Sequence, residues 1–573
     1  MKKNKIFLIF IGLLSFIFCL KEFEDFSYDT KIEFQEDNIM ISGEGVILNG
    51  TNANIYSPGV YLITGMCKEG SINVNSSSVQ LYLEDLDLSS SVSSPILIEE
   101  KLTNIKIHAI NNVKITDNEE RNLRRECASI TIRDNNEVNF YSQNKFYING
   151  RCKDGIKSTE KTYLRFYEGE FIINAYRHGI YANYFSIFYG GKYNIKTENG
   201  IGIYSSSDEN LKLGKGENGR ISVDGGDFII NSFSDAFRAE YSIWIENGNF
   251  SIKTEQGYNS LSFNKETGSA KGFFANYRVG ISRGNFIINT SDTSFHSENL
   301  IDIYGGKFTI YSGYNGFYSA GKIYLGFQYT SLCPIIDIKS SYNAIVARSI
   351  DFGNGLIKAI ALKDGVNTFI PNSEEKSEIY LYDGEYNITY NENGIRSNGN
   401  IYFLGGDINL FQDKKGNNII EYSGDFYLNN SVLFSMAKQS KKKLEKIIKS
   451  NQTYAIYREN IQKNKLLFIE NGNKTIVKQI DIKENFNYFF YSSYDLNENY
   501  SFYISESNDI NYVKVAFTFG ELNETIENDD EEEEEKKEEE KNYTVLILII
   551  SFSVLIGGSL IFYIYRSIKR CYA

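Results

Sequence analysis

The sequence is poor in the residue types on which many catalytic sites depend. It contains three histidines, one tryptophan and four prolines in 573 residues. Three histidines leave little material for a histidine-based metal enzyme or a Ser-His-Asp hydrolase. The six cysteines include no C-x-x-C pair, which disfavours a zinc site. These shortages favour a function other than histidine-dependent catalysis.

Basic residues are also in the minority. The chain has 60 Lys+Arg against 73 Asp+Glu, a formal net charge of −13, and 42% of its residues are apolar. This balance fits neither a disordered tail nor a generalist nucleic-acid binder. More than half of the excess charge lies in Glu527–Lys541, where eleven carboxylates accompany three lysines. Such a run repels itself and stays extended, so we predict an acidic stalk over residues 521–542.

The two ends of the chain indicate where it is located. Three lysines within the first five residues precede an apolar run from Ile6 to Leu20, which predicts a secretory signal peptide over residues 1–20. Near the other end, Tyr543–Tyr565 carries no charge and is followed by basic residues. We therefore predict a transmembrane helix over 543–565 and a cytoplasmic tail over 566–573. The expected product is a single-pass type I membrane protein with an extracellular ectodomain at the cell surface.

Cysteines and glycosylation acceptors agree with this compartment. Cys67, Cys127, Cys152 and Cys333 fall in the predicted ectodomain and allow three disulfide pairings. The sequence does not choose among them, although Cys127 with Cys152 is one candidate. Acceptors of the form Asn-x-Ser/Thr are plentiful and predict a glycoprotein; they include Asn49, Asn75, Asn249, Asn289, Asn387, Asn451, Asn473 and Asn499.

The middle of the chain contains an internal repeat of the form Gly-x-(Phe/Tyr)-x-Ile. Successive copies are separated by 22, 35, 22, 36, 22, 78 and 22 residues, and four equal spacings are beyond coincidence. The 78-residue interval is degenerate, and Tyr342–Val346 resembles a faded copy. The copies begin at Gly169, Gly191, Gly226, Gly248, Gly284, Gly306, Gly384 and, more weakly, Gly406.

Apolar residues alternate on both sides of each repeated glycine. Pairs such as Ile301 and Ile303 stand five and three residues before it, and the aromatic residue and isoleucine of the motif follow it. A period of two indicates strands, and no period of 3.6 is present. Short strands that repeat in this way stack into a parallel β-helix, which we predict over residues 45–430. Uniform coils of 22 residues give about 17 coils, with the inward Ile and Phe in one continuous column.

The repeat stops after residue 431. Residues 451–520 contain about five strand-like segments and predict a small β-sandwich-like module. The predicted fold class is therefore all-β: a parallel β-helix and a small C-terminal β-module, followed by a single transmembrane helix.

Several longer phrases resemble a known family. Tyr61–Glu100, Cys152–Ser158, Ser269–Ala275 and Gln452–Ser493 are similar to segments of secreted, mostly bacterial β-helix proteins that bind cellulose and pectic polysaccharide. The resemblance covers about residues 45–520 and includes the order of the motifs. It implies a right-handed parallel β-helix related in architecture to pectate lyases, non-catalytic polysaccharide binding, and calcium bound at acidic turns.

The calcium expectation rests on three aspartates. In the family each turn tends to carry paired aspartates, whose stacked carboxylates supply oxygen ligands for calcium. In this sequence only Asp154, Asp235 and Asp292 keep an acid at such turns, so these are the candidate Ca2+ ligands. The competing interpretation is that they are turn residues that hydrogen-bond to their own backbone.

Sugar binding needs aromatic rings that face solvent beside polar groups. Tyrosines near the predicted turns meet this need, and an aromatic stripe on a repetitive rod suits a linear polymer. The candidate carbohydrate-binding residues are Tyr176, Tyr181, Tyr204, Tyr258 and Tyr314.

Three functional hypotheses follow. The preferred one is a membrane-anchored, non-catalytic protein that binds polysaccharide or glycan and has no nucleic-acid partner. The second is a surface adhesin or structural protein that binds other proteins. The third is a polysaccharide lyase, for which Arg177, Arg238, Lys253 and Arg278 are candidate bases by residue type, although none recurs with acids at the coil spacing. The oligomeric state, the glycan and the disulfide pairing stay open.

Overall fold

The computed structural model describes residues 27–118, 128–134, 137–159, 161–207, 218–260, 268–326, 332–368, 377–438, 444, 448–450, 452–506, 513–515 and 518–521. Regular structure within these ranges is β-strand, with no α-helix, so the all-β prediction is confirmed. None of the described residues forms a helix suited to crossing a membrane. The predicted signal peptide, stalk, transmembrane helix and tail lie outside the described residues.

The strands form a β-solenoid in which each strand pairs in parallel with its counterpart one coil later. Three stacks of strands result. The first, which we call the glycine column, follows the repeated glycine. It contains Val113–Asp117, Lys145–Gly150, Glu170–Ala175, Lys192–Thr197, Asp227–Ser232, Asn249–Thr254, Asn285–Thr290, Lys307–Ser312, Ile335–Ser341, Leu356–Ala361, Glu385–Tyr390, Asp407–Gln412 and Val432–Ala437.

The second stack, the pre-glycine column, comes immediately before that glycine in each coil. Its strands are Thr30–Gln35, Ile105–Asn111, Glu137–Ser142, Thr162–Phe166, Arg220–Val223, Ser242–Ile245, Arg278–Ile281, Leu300–Ile303, Glu378–Leu381, Asn400–Phe403, Phe426–Leu428 and Ile448–Lys449. Two long strands, Gly59–Cys67 and Val79–Ser90, continue from this column into the glycine column.

The third stack, the turn column, follows the glycine column in each coil. It contains Asn52–Ile55, Ser71–Val74, Ile96–Ile98, Ala128–Ile132, Asp154–Ser158, Ile203–Ser206, Phe237–Ala239, Phe273–Ala275, Phe295–Ser297, Val366–Asn367, Asn393–Ser397 and Asn418–Tyr422. Three strands run from this column into the next pre-glycine strand: Ile180–Phe188, Asn315–Leu325 and Asn343–Phe352.

The repeated glycines lie directly on one another at the bend between the pre-glycine and glycine columns. Gly226, Gly248 and Gly284 have φ angles of +119°, +143° and +129°, which side chains other than glycine rarely adopt. A Cβ on each would also come within 2.8–2.9 Å of the carbonyl oxygen of the preceding glycine in the stack. The motif therefore requires glycine for two reasons, backbone conformation and the close approach of the coil before.

The residue two positions after each glycine builds the core. Phe228, Phe250, Phe286 and Phe308 stack face to face with ring centroids 4.6–5.0 Å apart. A second stack, formed by the turn-column residues Phe237, Phe273, Phe295 and Phe317, meets the first edge-on. All eight rings are buried, which confirms the predicted inward column of aromatic and aliphatic side chains.

The solenoid has about 13 turns rather than the predicted 17. The prediction assumed a uniform coil of 22 residues, whereas several coils are longer. The faded copy at Tyr342–Val346 is also misplaced, because this segment enters the turn column. The missing copy of the glycine motif is at Gly355, whose φ is +140° and over which Gly384 stacks. Here Ile357 occupies the usual aromatic position, so the motif was not visible.

Antiparallel strands occur at both ends of the stack. Asn38–Ser42 pairs with the first pre-glycine strand, and Val46–Asn49 pairs with the first turn-column strand. At the other end, Tyr488–Ser493 pairs antiparallel with the last glycine-column strand, and Thr453–Tyr457 and Thr518–Glu521 extend that sheet. A second sheet contains Lys465–Glu470, Ile476–Ile482, Ser501–Glu506 and Val513–Val515. Residues from both sheets, including Phe489, Ile469 and Phe502, share one hydrophobic core.

The cysteines differ in state. Cys152 is disulfide-bonded, whereas Cys67 is a buried free thiol and Cys333 an exposed one. Cys127, its candidate partner, lies outside the described residues. Each of the three pairings of four cysteines would bond both Cys67 and Cys333, so none of the three is present in full, and the bond of Cys127 with Cys152 stays a prediction.

Adjacent glycines offer a test of the bend. Ala at position 226 would meet the carbonyl of Gly191 at 2.9 Å in a backbone of positive φ, whereas Ala at position 225 would make only an ordinary contact at 3.6 Å. We expect Gly226→Ala to lower the free energy of unfolding by about 2–4 kcal/mol. Gly225→Ala is the matched control, with an expected change within about 0.5 kcal/mol. Urea titration of both variants measures the difference, and equal midpoints would contradict the account of the bend.

Candidate functional site

One outward-facing position of the turn column carries a series of rings. It is the residue directly after the buried Ile or Phe of each turn-column strand. On six consecutive coils, register places these side chains one above another. The series, which we call the turn row, consists of Tyr181, Tyr204, Arg238, Phe274, His296 and Tyr318.

The rings of the turn row are tilted against one another. Tyr181 and Tyr204 lie 5.2 Å apart at an interplanar angle of 50°. His296 meets Phe274 at 4.9 Å and 81°, and Tyr318 at 4.7 Å and 48°. Tilted rings cover each other's faces less completely than parallel rings do, and each member of the turn row is partly exposed. On the inner side, the imidazole of His178 stacks against Tyr181 at 5.7 Å.

Arg238 is the one member of the turn row without a ring, and it joins the two halves. Its guanidinium carbon lies 5.7 Å from the ring centre of Tyr204 and 4.9 Å from that of Phe274. Cation–π contacts of this kind hold the guanidinium in line with the rings. Carboxylates of Asp235 and Glu240 lie 3.6 and 3.5 Å from its nitrogens. The row is therefore continuous, with its single positive charge balanced locally.

A strip of polar side chains runs beside the rings, at the corner that leads to the pre-glycine column. Glu240 accepts hydrogen bonds from the hydroxyl of Tyr204 (2.8 Å) and from Nδ2 of Asn276 (2.7 Å). Glu298 lies 2.8 Å from Nε2 of His296, and this hydrogen bond lowers the pKa of the Glu298 carboxyl. Burial raises the pKa of the Tyr204 hydroxyl, which therefore stays protonated and able to donate. Rings and hydrogen-bonding groups thus lie side by side.

A second outward row of rings has a different geometry. Tyr380, Tyr402 and Tyr427 lie on consecutive coils of the pre-glycine column, 4.6 and 5.0 Å apart, with interplanar angles of 6° and 2°. Parallel rings at this spacing cover much of each other's faces, and each of the three is partly exposed. We call them the stacked row. It shares the coil spacing of the turn row but consists of tyrosines alone, and its rings are parallel rather than tilted.

The five tyrosines predicted for sugar binding divide into two groups. Tyr181 and Tyr204 meet in the turn row. Tyr176, Tyr258 and Tyr314 lie at the opposite end of the turn-column strands, nearer the glycine column. There the hydroxyl of Tyr176 accepts from Asn199 at 3.4 Å, Tyr258 lies 5.4 Å from Tyr311, and Tyr314 stacks with Tyr342 at 5.6 Å. The structure therefore does not gather the five into one site.

Arg238, Phe274, His296 and Tyr318 are not among the five residues predicted for carbohydrate binding, although Arg238 is one of the candidate bases of the lyase hypothesis and Tyr318 is one of the tyrosines near the turns. The signal that could have found them is positional, since each follows a small residue and then a buried Ile or Phe, as in Gly-Phe-Phe and Gly-Phe-Tyr. Selecting tyrosines by residue type missed the arginine, the phenylalanine and the histidine at the same position.

The three aspartates expected to bind calcium have other partners. Asp154 accepts from Nε and Nη2 of Arg177 at 2.9 and 2.6 Å, and from the backbone N–H of His178. Asp235 accepts from Ser269 and from the backbone N–H of Lys271, and Asp292 forms an ion pair with Lys271 at 2.8 Å.

Their positions do not favour a shared ion either. Asp154 and Asp235 are three coils apart, about 14 Å, and Asp235 and Asp292 are two coils apart, about 10 Å. Across the described ranges, no three His, Cys, Asp or Glu side chains gather as a metal site would require. Calcium takes six to eight oxygen ligands, and these surroundings do not fit it. The observed bonds differ from the alternative interpretation as well, because Asp154 and Asp235 accept from backbone N–H groups of the next coil rather than from their own backbone.

One buried position at the start of the turn column has a common role along the stack. In the C-terminal part of the solenoid, Asn343, Asp364 and Asn393 each accept a hydrogen bond from the backbone N–H one coil later, at 3.1–3.3 Å. His178 does the same, since the N–H of Ile201 donates to its Nδ1 at 3.1 Å. Burial lowers the pKa of His178 to about 4, so the ring stays neutral and able to accept.

Comparison with known proteins agrees with this architecture. Residues 49–316 match the model of a family described as carbohydrate-binding domain-containing protein, which confirms the resemblance over that range. No curated protein matches the chain. A solved structure of the polysaccharide lyase-like protein from C. thermocellum, a gadolinium derivative, is 19% identical over 48% of this chain and 96% of its own, with a TM-score of 0.33. At that TM-score the similarity carries no argument about function.

Neutral His178 makes a testable contribution to stability. Its pKa is lowered in the fold, so the unfolded chain binds more protons as pH falls from 6.5 towards about 4. As pH falls across that window, we expect His178 to lower the free energy of unfolding by up to about 1.4 kcal/mol per pH unit. Above pH 6.5 the protonation of His178 should not affect the free energy of unfolding. His178→Asn supplies the acceptor found in other coils and should remove this part of the slope.

Urea midpoints of both proteins between pH 4 and 7.5 measure the effect. His108, whose pKa burial lowers to about 3, is present in both proteins and cancels in the comparison. Identical pH profiles would contradict the assigned role of His178.

Proposed function

We propose that this protein binds a linear glycan along the turn row without chemically altering it. The observation that carries the proposal is the row of tilted rings over six coils, with Glu240, Asn276 and Glu298 beside it. Sugars combine an apolar C–H face with hydroxyl groups at their rim. Aromatic rings can pack against the C–H face, and carboxylates and amides can hydrogen-bond to the hydroxyl groups. The family match of residues 49–316 supports the same class of ligand.

The repeat of the solenoid supports a polymer rather than an isolated small molecule. Equivalent side chains recur every coil at about 4.8 Å, which is close to the length of one pyranose unit in an extended chain. Six coils therefore present similar contacts to several consecutive sugar units. Weak contacts that repeat along one ligand add to a useful affinity.

The surroundings of the candidate bases support a non-catalytic role. Arg177 is bonded to Asp154, Arg278 to both carboxylate oxygens of Asp302, and Arg238 lies between Asp235 and Glu240. An arginine held by a carboxylate stays protonated and is a poor general base. Lys253 lies on the glycine column, away from the turn row.

We also propose that the solenoid is displayed at the cell surface. The supporting features are in the sequence: the signal peptide over 1–20, the acidic stalk over 521–542 and the apolar segment over 543–565. The run of like charge over 521–542 separates the apolar segment from the solenoid along the sequence.

Binding by the turn row is testable with single substitutions. We expect Tyr204→Ala and Phe274→Ala in a secreted fragment of residues 27–521 to weaken binding to the polysaccharide selected by a glycan array at least tenfold. Each substitution removes one ring, and removal of an aromatic ring that stacks on a ligand typically weakens binding by about this factor. Isothermal titration calorimetry measures the affinity.

The stacked row supplies the matched control. Tyr402→Ala removes an outward tyrosine at the same coil spacing, and it should leave affinity within twofold of the parent. The proposal fails if no polysaccharide on the array binds, or if Tyr402→Ala weakens binding as much as Tyr204→Ala.

The membrane anchor has its own test. We expect the full chain to remain in the membrane fraction after carbonate extraction, and a chain ending at residue 542 to be secreted. Antibody labelling of intact cells should detect the solenoid of the full chain only from outside. Recovery of the full chain in the soluble fraction would contradict the anchor.

A further inference from the structure

A recess distinct from the turn row opens on the neighbouring pre-glycine column, towards the N-terminal end of the row. It is an open, shallow recess with a volume of about 470 Å³. It spans consecutive coils at the corner between the turn and pre-glycine columns. The lining residues are Thr103, Asn104, Glu137, Lys161, Tyr163 and Tyr184.

Two aromatic rings form adjoining walls of this recess. Tyr163 and Tyr184 have ring centroids 4.9 Å apart and planes at 75°. Phe185, next to Tyr184, meets Tyr163 from the side at 5.9 Å and 73°. Because the two rings are nearly perpendicular, the recess presents the face of one ring and the edge of the other. A ligand with an apolar face can pack against the ring face.

The backbone of Tyr184 is held in an unusual conformation. Its φ is +148°, a region that glycine occupies readily and tyrosine rarely does. Asn104, which also lines the recess, has a φ of +57°, a conformation that asparagine adopts more readily than most residues. Strained residues such as Tyr184 cluster at binding and catalytic sites, where the surrounding structure holds them. Here the strain coincides with the placement of a ring at the wall of a cavity.

The polar side chains of the recess are of two kinds, one held by an ion pair and three exposed to solvent. Glu137 forms an ion pair with Arg165, and the guanidinium of Arg165 lies 5.9 Å from the ring centre of Tyr163. Thr103, Asn104 and Lys161 are exposed at the rim. Glu137 can accept hydrogen bonds, Asn104 and Thr103 can donate and accept, and Lys161 can donate. This combination suits a ring-shaped ligand rich in hydroxyl groups.

We infer that the recess is a second sugar-binding site that takes one pyranose unit, with its C–H face against Tyr163 or Tyr184 and its hydroxyls on Glu137 and Asn104. The inference rests on the proposed function and extends it to a site outside the turn row. Tyr181 and Tyr184 are three residues apart on one strand, about 10 Å. A branch or end of a glycan bound along the row can therefore reach the recess, and joint occupancy raises the overall affinity.

Methyl glycosides test the recess separately from the polymer. Titration of fragment 27–521 with neutral, N-acetylated and uronic methyl glycosides, followed by NMR, should give saturable binding for at least one of them. Tyr163→Ala should weaken that binding at least tenfold. Tyr184→Gly should weaken it similarly while keeping the fold, because glycine adopts the same φ without strain. Thermal denaturation of each variant reports on folding.

Tyr402→Ala is the control, since Tyr402 lies in the stacked row, outside both the recess and the turn row, and its loss should leave methyl glycoside binding within twofold. The inference is overturned if no methyl glycoside binds, or if folded Tyr163→Ala and Tyr184→Gly bind as the parent does. It is also overturned if Tyr402→Ala removes the binding. Failure of the proposed function is distinct, because it appears as polysaccharide binding that Tyr204→Ala and Phe274→Ala leave unchanged.

Discussion

The contact on which the rest of the solenoid depends is the one between a motif glycine and the carbonyl group of the motif glycine beneath it. The positive φ turns the chain from the pre-glycine column into the glycine column, and the missing Cβ lets the next coil approach closely. Because this contact recurs at the same place in each regular coil, it fixes the register of the strands on either side. A one-residue slip would turn every inward side chain outward. The core stacks of phenylalanine follow from that register.

Fixed register also explains how an outer face can recognise a repeating ligand. Side chains that are equivalent by position become neighbours in space, so a row of rings needs no loops to hold it in place. Whether such a row is useful depends on ring orientation. The stacked row uses its faces internally, with planes within 6° of parallel. In the turn row, Arg238 interrupts the series of rings and His296 is tilted against its neighbours, so the rings cover each other less completely. The two rows therefore differ in how their rings are arranged.

The sequence allowed the parallel β-helix, the role of the repeated glycine and the inward aromatic column to be predicted, because each leaves a periodic signal. It did not reveal the copy at Gly355, since Ile357 replaces the aromatic residue that defines the motif. Tyr181 and Tyr204 were found by residue type, but Arg238 and His296 were not, because their contribution comes from position alone. For the acidic turns, the residue type suggested a role that the structure does not support. Asp154 has the residue type of a calcium ligand, yet Arg177 occupies its oxygens, a contact between residues 23 positions apart that the motif does not encode.

The antiparallel pairing at the end of the glycine column has a consequence for assembly. A parallel stack of identical coils offers at each open end a strand edge onto which another molecule could add. Tyr488–Ser493 runs against Val432–Ala437 in the opposite direction, so the next layer on that column comes from the same chain. Filament growth by head-to-tail addition of coils is thereby blocked at this edge. The length of the solenoid on this column is then set by the number of coils in one chain rather than by the concentration of the protein.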